Sequence, residues 1–175
     1  MSTADLTRYE RQILANVEEF GCHITVVGAS PDDDDEDQPG NADTLGERFA
    51  YSVGLPRTVG QPEIIVFGFS TELSAAVINT VMAMCREGLE LEDWAEIDGL
   101  LKGHRCIARD VRPQCLVPAY FNAAIWFAEH EGYDFSRAMQ IVWPGVDDGL
   151  FPWDKGCLPD VRALQTPLYR TSLNS

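Results

Sequence analysis

The residues best suited by type and spacing to chemistry fall in a few short segments. Lys102, Arg105, Arg109 and Arg112 form the one concentrated basic stripe. On a strand, side chains alternate between faces, so Arg105 and Arg109 share a side with Ile107 between them. Two guanidinium forks so disposed can clamp a phosphate or carboxylate, although arginines in an acidic chain also serve as partners for internal Asp and Glu. His104 and Cys106 share a side in the same way and could hold one metal ion, with Cys22, His23 or His130 completing the set. No CxxC or HExxH pair accompanies them, and the other reading is two polar residues satisfied by hydrogen bonds. His130, four residues after Trp126, sits where a helix C-terminus favours imidazolium by about 0.3–1 kcal/mol. Leu55-Pro56-Arg57-Thr58 reads as a turn that offers Arg57 to an anion.

Two further segments carry recognition chemistry. In WPGVDDGLFPWD (143–154), Asp148-Gly149 is a type I′ hairpin signature, predicted to gather Trp143, Phe151 and Trp153 beside Asp147 and Asp154. Rings with nearby carboxylates can cage a cation or line a pocket. The alternative is a rigid cover whose tryptophans bury against a sheet. The six consecutive acids from Asp32 to Asp37 repel one another, so a solvated, mobile loop is expected. The run lacks the spaced ligands and turn glycine of an EF-hand, and its binding role would be contact with a basic protein surface.

The elements that must position these residues follow from periodicity. Apolar residues Leu6, Tyr9, Ile13, Leu14, Val17 and Phe20 predict a helix over 5–20, with Ser2 or Thr3 as cap and Gly21 as stop. Residues 23–29 and 48–55 read as strands, separated by the acidic loop at 30–47. EIIVFGF (63–69) is apolar nearly throughout, as a strand covered on both faces would be. Ser70 caps a helix in which Leu73, Val77, Val81 and Met84 form a stripe that Ile78 and Cys85 widen. Residues 89–103 fit a short helix or a strand. A strand at 105–111, a helix from Pro118 towards Gly132 and a strand at 138–143 follow, and 144–175 reads as a proline-rich cover and tail. This order predicts one α+β domain over 1–175: a mainly antiparallel sheet with about three helices packed on one face.

Composition bounds the function. The 175 residues hold 28 acids and 13 bases, a formal net charge of −15, while 45% are hydrophobic. Such a field repels phosphodiesters and anionic lipid, which argues against nucleic acid and membrane surfaces as partners. No apolar run has the length of a membrane span, and MSTADLTRYERQ lacks the pattern of a secretory signal. The five cysteines are an odd number without close pairing, which fits a reducing, cytoplasmic setting better than a disulfide framework. GxGxxG, GxxxxGK[ST] and GxSxG are all absent.

Gly21-x-His23, FAYSVGL at 49–55, PEIIVFGF at 62–69 and VWPGVDDGLFPWD at 142–154, taken in that order, resemble the bacterial domain-of-unknown-function family 4262. The resemblance covers Gly21 to about Trp153. It implies a shared fold unit and supplies no catalytic residues.

Two functional expectations result. The first is a non-catalytic, acidic binding or regulatory module, immunity- or antitoxin-like, that meets a basic protein surface. The second is a small-molecule or flavin-binding domain, or an enzyme acting on such a ligand, with its ligand between the arginine strand and the aromatic hairpin. Arg57, Arg105, Arg109, Trp143, Asp148 and Trp153 are the binding candidates.

Overall fold

The computed structural model describes residues 5–28 and 48–171. The acidic run at 32–37 lies outside the described residues, as do the rest of the loop at 30–47 and the last residues of the tail.

The chain runs α1 (Arg8–Phe20), β1 (His23–Val27), β2 (Phe49–Val53), α2 (Leu55–Thr58), β3 (Glu63–Phe67), α3 (Thr71–Arg86), β4 (Glu96–Leu101), β5 (His104–Asp110), α4 (Pro118–Glu131), β6 (Ala138–Val142) and α5 (Pro159–Leu164). The six strands form one sheet in the order β1-β2-β3-β6-β5-β4. Every neighbouring pair is antiparallel except the central β3–β6 pair, which is parallel. The architecture is therefore α+β with a mixed, mostly antiparallel sheet. Five helices accompany it among the described residues, because the short α2 and α5 join the three long ones.

The helices do not share one face, as the order of elements had suggested. One face carries Ala50, Ile64, Val66, Cys106, Ala108, Met139 and Ile141 against Val77, Ile78, Val81 and Met82 of α3. The other packs Phe49, Tyr51, Val53, Ile65 and Phe67 against Ile13 and Val17 of α1 and against Phe121, Ala124 and Phe127 of α4. Further along that second face, Phe151 and Tyr169 of the C-terminal segment cover Ile107 and Val142. A parallel pair at the centre of a sheet is covered on both sides, and every residue of β3 and β6 is buried.

Local chemistry sets the element ends. Thr7, rather than Ser2 or Thr3, starts α1. Its hydroxyl accepts from the Glu10 N–H (3.1 Å) and Glu10 Oε2 accepts from the Thr7 N–H (3.0 Å), so two otherwise free donors are satisfied together. Ser70 Oγ accepts from the Leu73 N–H at 3.1 Å, as the sequence predicts. Phe121 departs from helical geometry inside α4, and the Ala123 N–H donates instead to Tyr51 Oη at 2.9 Å.

Residues 89–103 resolve into β4 and its approach, with a register irregularity between Ile97 and Leu101. Two buried glutamines tie the C-terminal segment to β6. Gln140 donates to Thr166 O (3.0 Å) and accepts from the Leu168 N–H (2.9 Å). Gln165 accepts from the Trp143 N–H (3.0 Å) and donates to Trp143 O (2.9 Å). No helix among the described residues is long and apolar enough to cross a membrane.

Candidate functional site: a caged arginine beneath an exposed tryptophan

β5 points Arg109 into the cover segment, where the residue is only 6% exposed. A charge so far out of water must be paired. Its Nε donates to Asp93 Oδ1 at 2.9 Å, and Nη2 reaches Arg170 O at 3.5 Å. Its guanidinium carbon lies 3.7 Å from the ring centroid of Trp94, 4.7 Å from Tyr169 and 5.2 Å from Trp153. Trp153 in turn stacks on Phe151 at 5.1 Å and meets Trp94 edge-on at 5.1 Å. An aromatic cage with a carboxylate is thus present, and the chain's own Arg109 occupies it.

Trp94 is the only non-glycine with positive φ among the described residues, at 72°. For a side chain with a Cβ, left-handed backbone costs about 1–2 kcal/mol. Three contacts hold it there: its N–H donates to Ala108 O at 2.8 Å, Arg109 stacks on the indole and Trp153 abuts it. The residue nonetheless stays 52% exposed. Around it in sequence Glu87, Glu90, Glu92, Asp93, Glu96 and Asp98 are all exposed, and no basic residue falls within 87–98.

A second polar cluster lies where α1, α2 and the head of β3 meet. Glu63 is completely buried. Its Oε1 accepts from Ser52 Oγ (2.9 Å) and the Leu55 N–H (3.0 Å), and its Oε2 accepts from the Gly54 N–H (2.7 Å). Desolvation pushes its pKa up to about 7 against those three hydrogen bonds, which favour the ionised form. Gly54 has φ 106°, and a Cβ there would stand 2.9 Å from a Val17 methyl, so the turn requires glycine. Tyr133 Oη is buried near this cluster without a hydrogen-bond partner, and burial, then the Glu63 charge, raises its pKa.

Close by, His23 Nδ1 accepts from Asn16 Nδ2 at 2.9 Å, which leaves Nε2–H to face Tyr9 Oη at 3.4 Å. Burial holds His23 down to about 4, so its imidazole is neutral near pH 7.

The other residues singled out from sequence are dispersed. Arg105 pairs with Glu96 across the β4–β5 hairpin at 3.2 Å. Arg57 stands at the opposite end of the sheet order, 3.5 Å from Glu131 and 3.7 Å from Glu18. Trp143 does not join Phe151 and Trp153. It stacks on Phe69 at 5.2 Å, donates Nε1–H to Phe67 O at 2.8 Å and packs with the α3-side core. The cause is β-strand alternation: Val142 faces the cover, so Trp143 turns the other way.

Nor is Asp148-Gly149 a two-residue hairpin turn. The Gly149 N–H donates to Gly145 O at 2.9 Å, closing a wider loop, and Asp148 Oδ1 accepts from the Leu150 N–H at 3.0 Å. His104, Lys102 and Arg105 line a shallow hollow of about 630 Å³ at the β4–β5 turn. Cys106 is sealed in the core beneath α3, and burial pushes its thiol up to about 12. No cluster of three or more His, Cys, Asp or Glu suited to a metal ion occurs among the described residues. All five thiols are free and buried, and Cys22 is pushed up to about 11, chiefly by desolvation. Arg112 donates to Leu168 O at 3.4 Å, and His130 stacks on Trp126 at 5.2 Å.

Sequence reasoning missed Asp93, Trp94, Tyr169 and Glu63. Only Glu63 left a usable signal, as a lone carboxylate at the head of an otherwise apolar strand.

Fold and site together define a small mixed-sheet α+β domain, braced by a buried carboxylate at one end and a caged arginine at the other. The chain belongs to the family DUF4262, a domain of unknown function, whose model matches residues 16–158. No curated protein and no solved structure matches it. Three of the segments behind the resemblance cluster in space: FAYSVGL supplies Ser52, Gly54 and Leu55, PEIIVFGF supplies the Glu63 they bind, and Gly21 O accepts from Thr58 Oγ1 at 2.6 Å.

Proposed function

We propose that the chain is a non-catalytic binding or regulatory module, immunity- or antitoxin-like and cytoplasmic, that engages a basic protein surface and avoids nucleic acid and membranes. The observation that supports this is how the scarce cations are spent. Arg57, Arg105, Arg109 and Arg137 each meet a carboxylate of the same chain, while acids such as Glu90, Glu92 and Asp98 stand exposed. A surface with that balance draws cationic partners by long-range attraction and disfavours polyanions.

The test is a photo-reactive residue placed at Glu92 or Asp98 and cross-linked in the source cell. The expected product is a protein of basic isoelectric point. Cross-links to nucleic acid or to acidic proteins alone would contradict the reading.

A second reading, a small-molecule or flavin-binding domain, draws on the hollow that Lys102, His104 and Arg105 line. It predicts a thermal shift with flavin mononucleotide that is lost in Lys102→Ser/Arg105→Ser. A colourless preparation with no shift would dispose of it.

A further inference from the structure

We infer that Trp94 is the anchor of a docking face for an arginine- or lysine-rich segment of a partner protein, whose cation stacks on the exposed part of the indole. This deepens the binding reading above and rests on it.

Four observations converge. First, the indole is half open to solvent although Arg109 covers one of its faces, and it is fixed by Ala108 O, Arg109 and Trp153 rather than left to rotate. A large, rigid aromatic that loses little freedom on contact is the residue type that dominates interface energetics. Second, glycine or asparagine would occupy φ 72° more cheaply, so a tryptophan there is a strained choice that serves presentation better than folding. Third, Arg109 already shows that this ring accepts a guanidinium at 3.7 Å. Fourth, Glu87, Glu90, Glu92 and Asp98 stand exposed beside Asp93 and Glu96, which already meet Arg109 and Arg105, and this balance is complementary to a cationic segment and hostile to an anionic one.

The partner is expected to arrive through its side chains rather than as an added strand. β4 is the edge of the sheet, and the irregularity between Ile97 and Leu101, with Glu96 and Asp98 on the same strand, spoils backbone pairing there.

The experiment uses the full chain and, as probe, a short capped peptide of alternating arginine and glycine in low-salt buffer. Binding is followed by the indole N–H signals of the four tryptophans and the backbone amides. The expected result is a saturable shift at Trp94 and at 90–98, with affinity about five-fold weaker in Trp94→Gly. Glycine relieves the left-handed strain and should fold, and Trp94→Asn is the second variant. If the peptide binds but shifts signals elsewhere, or binds Trp94→Gly as tightly as the parent chain, Trp94 is not the anchor and the broader binding reading stands. If the parent chain does not bind the peptide at all, both are overturned.

Discussion

Glu63 and His23 give the protein two opposed pH dependences that nearly cancel. Glu63 is a buried acid whose pKa rises from 4.5 to about 7 on folding, mainly by desolvation. Between those values the folded chain holds a proton that the unfolded chain releases, so stability falls as pH rises, by about 3 kcal/mol over the window. His23 is a buried base whose pKa falls from 6.5 to about 4, again by desolvation. Here the unfolded chain holds the proton, so stability rises with pH, by about 3 kcal/mol over nearly the same window.

The parent chain should therefore be nearly flat in these two contributions from about pH 5 to pH 6.5. Single variants expose each slope. Glu63→Gln removes the acid's contribution, and its stability should climb with pH relative to the parent. His23→Gln removes the base's, and its stability should drop. Urea denaturation of all three proteins at a series of pH values measures this, and background repulsion from the net charge of −15 cancels in the differences. Three parallel curves would refute the reasoning, because they would mean that neither group changes its proton affinity on folding.

Other perturbations read the same structure. Arg109→Ala leaves Asp93 without its cation, holding only the Asp110 N–H at 3.0 Å, and the rings without their centre. The expected loss is about 3 kcal/mol in urea denaturation, the low end for breaking a buried pair, because Asp93 keeps 37% of its side chain in water. Tyr51→Phe removes the acceptor for the Ala123 N–H at the irregular turn of α4 and should cost about 1–3 kcal/mol by the same measurement. Gln165→Ala orphans both backbone groups of Trp143 and should raise amide exchange across 159–171, leaving β1 and β2 protected.

Much of the fold was legible because apolar periodicity reports burial directly. The run of β3 is buried throughout and Val77, Ile78, Val81 and Cys85 of the α3 stripe face the core as the pattern put them, whereas Leu73 at the head of that stripe is exposed. What failed depended on contacts between distant segments. Residues 89–103 showed no clean period because β4 is an irregular edge strand with one buried residue, Ile97. The helices divide between two faces because β3 and β6 pair in parallel, and no local pattern encodes that pairing.

The candidate site was half visible for the same reason. Arg109 and Trp153 were marked by type, but Asp93, Trp94 and Tyr169 reach the cage from elsewhere in the chain. Trp143 was placed with the wrong rings because it follows Val142, which faces the cover, and so turns to the α3 side of the sheet. Glu63 looked like the polar start of a strand, since its partners Ser52, Gly54 and Leu55 lie in a separate motif.

The claim that matters most is that the outward face, rich in carboxylates and anchored by Trp94, seeks cations. Calorimetric titration of the full chain with the arginine–glycine peptide and with duplex DNA, repeated at increasing salt, tests it most directly. Peptide affinity is expected to fall steeply with ionic strength, with no measurable association with DNA. Tight, salt-sensitive binding to DNA, or peptide affinity indifferent to salt, would contradict it.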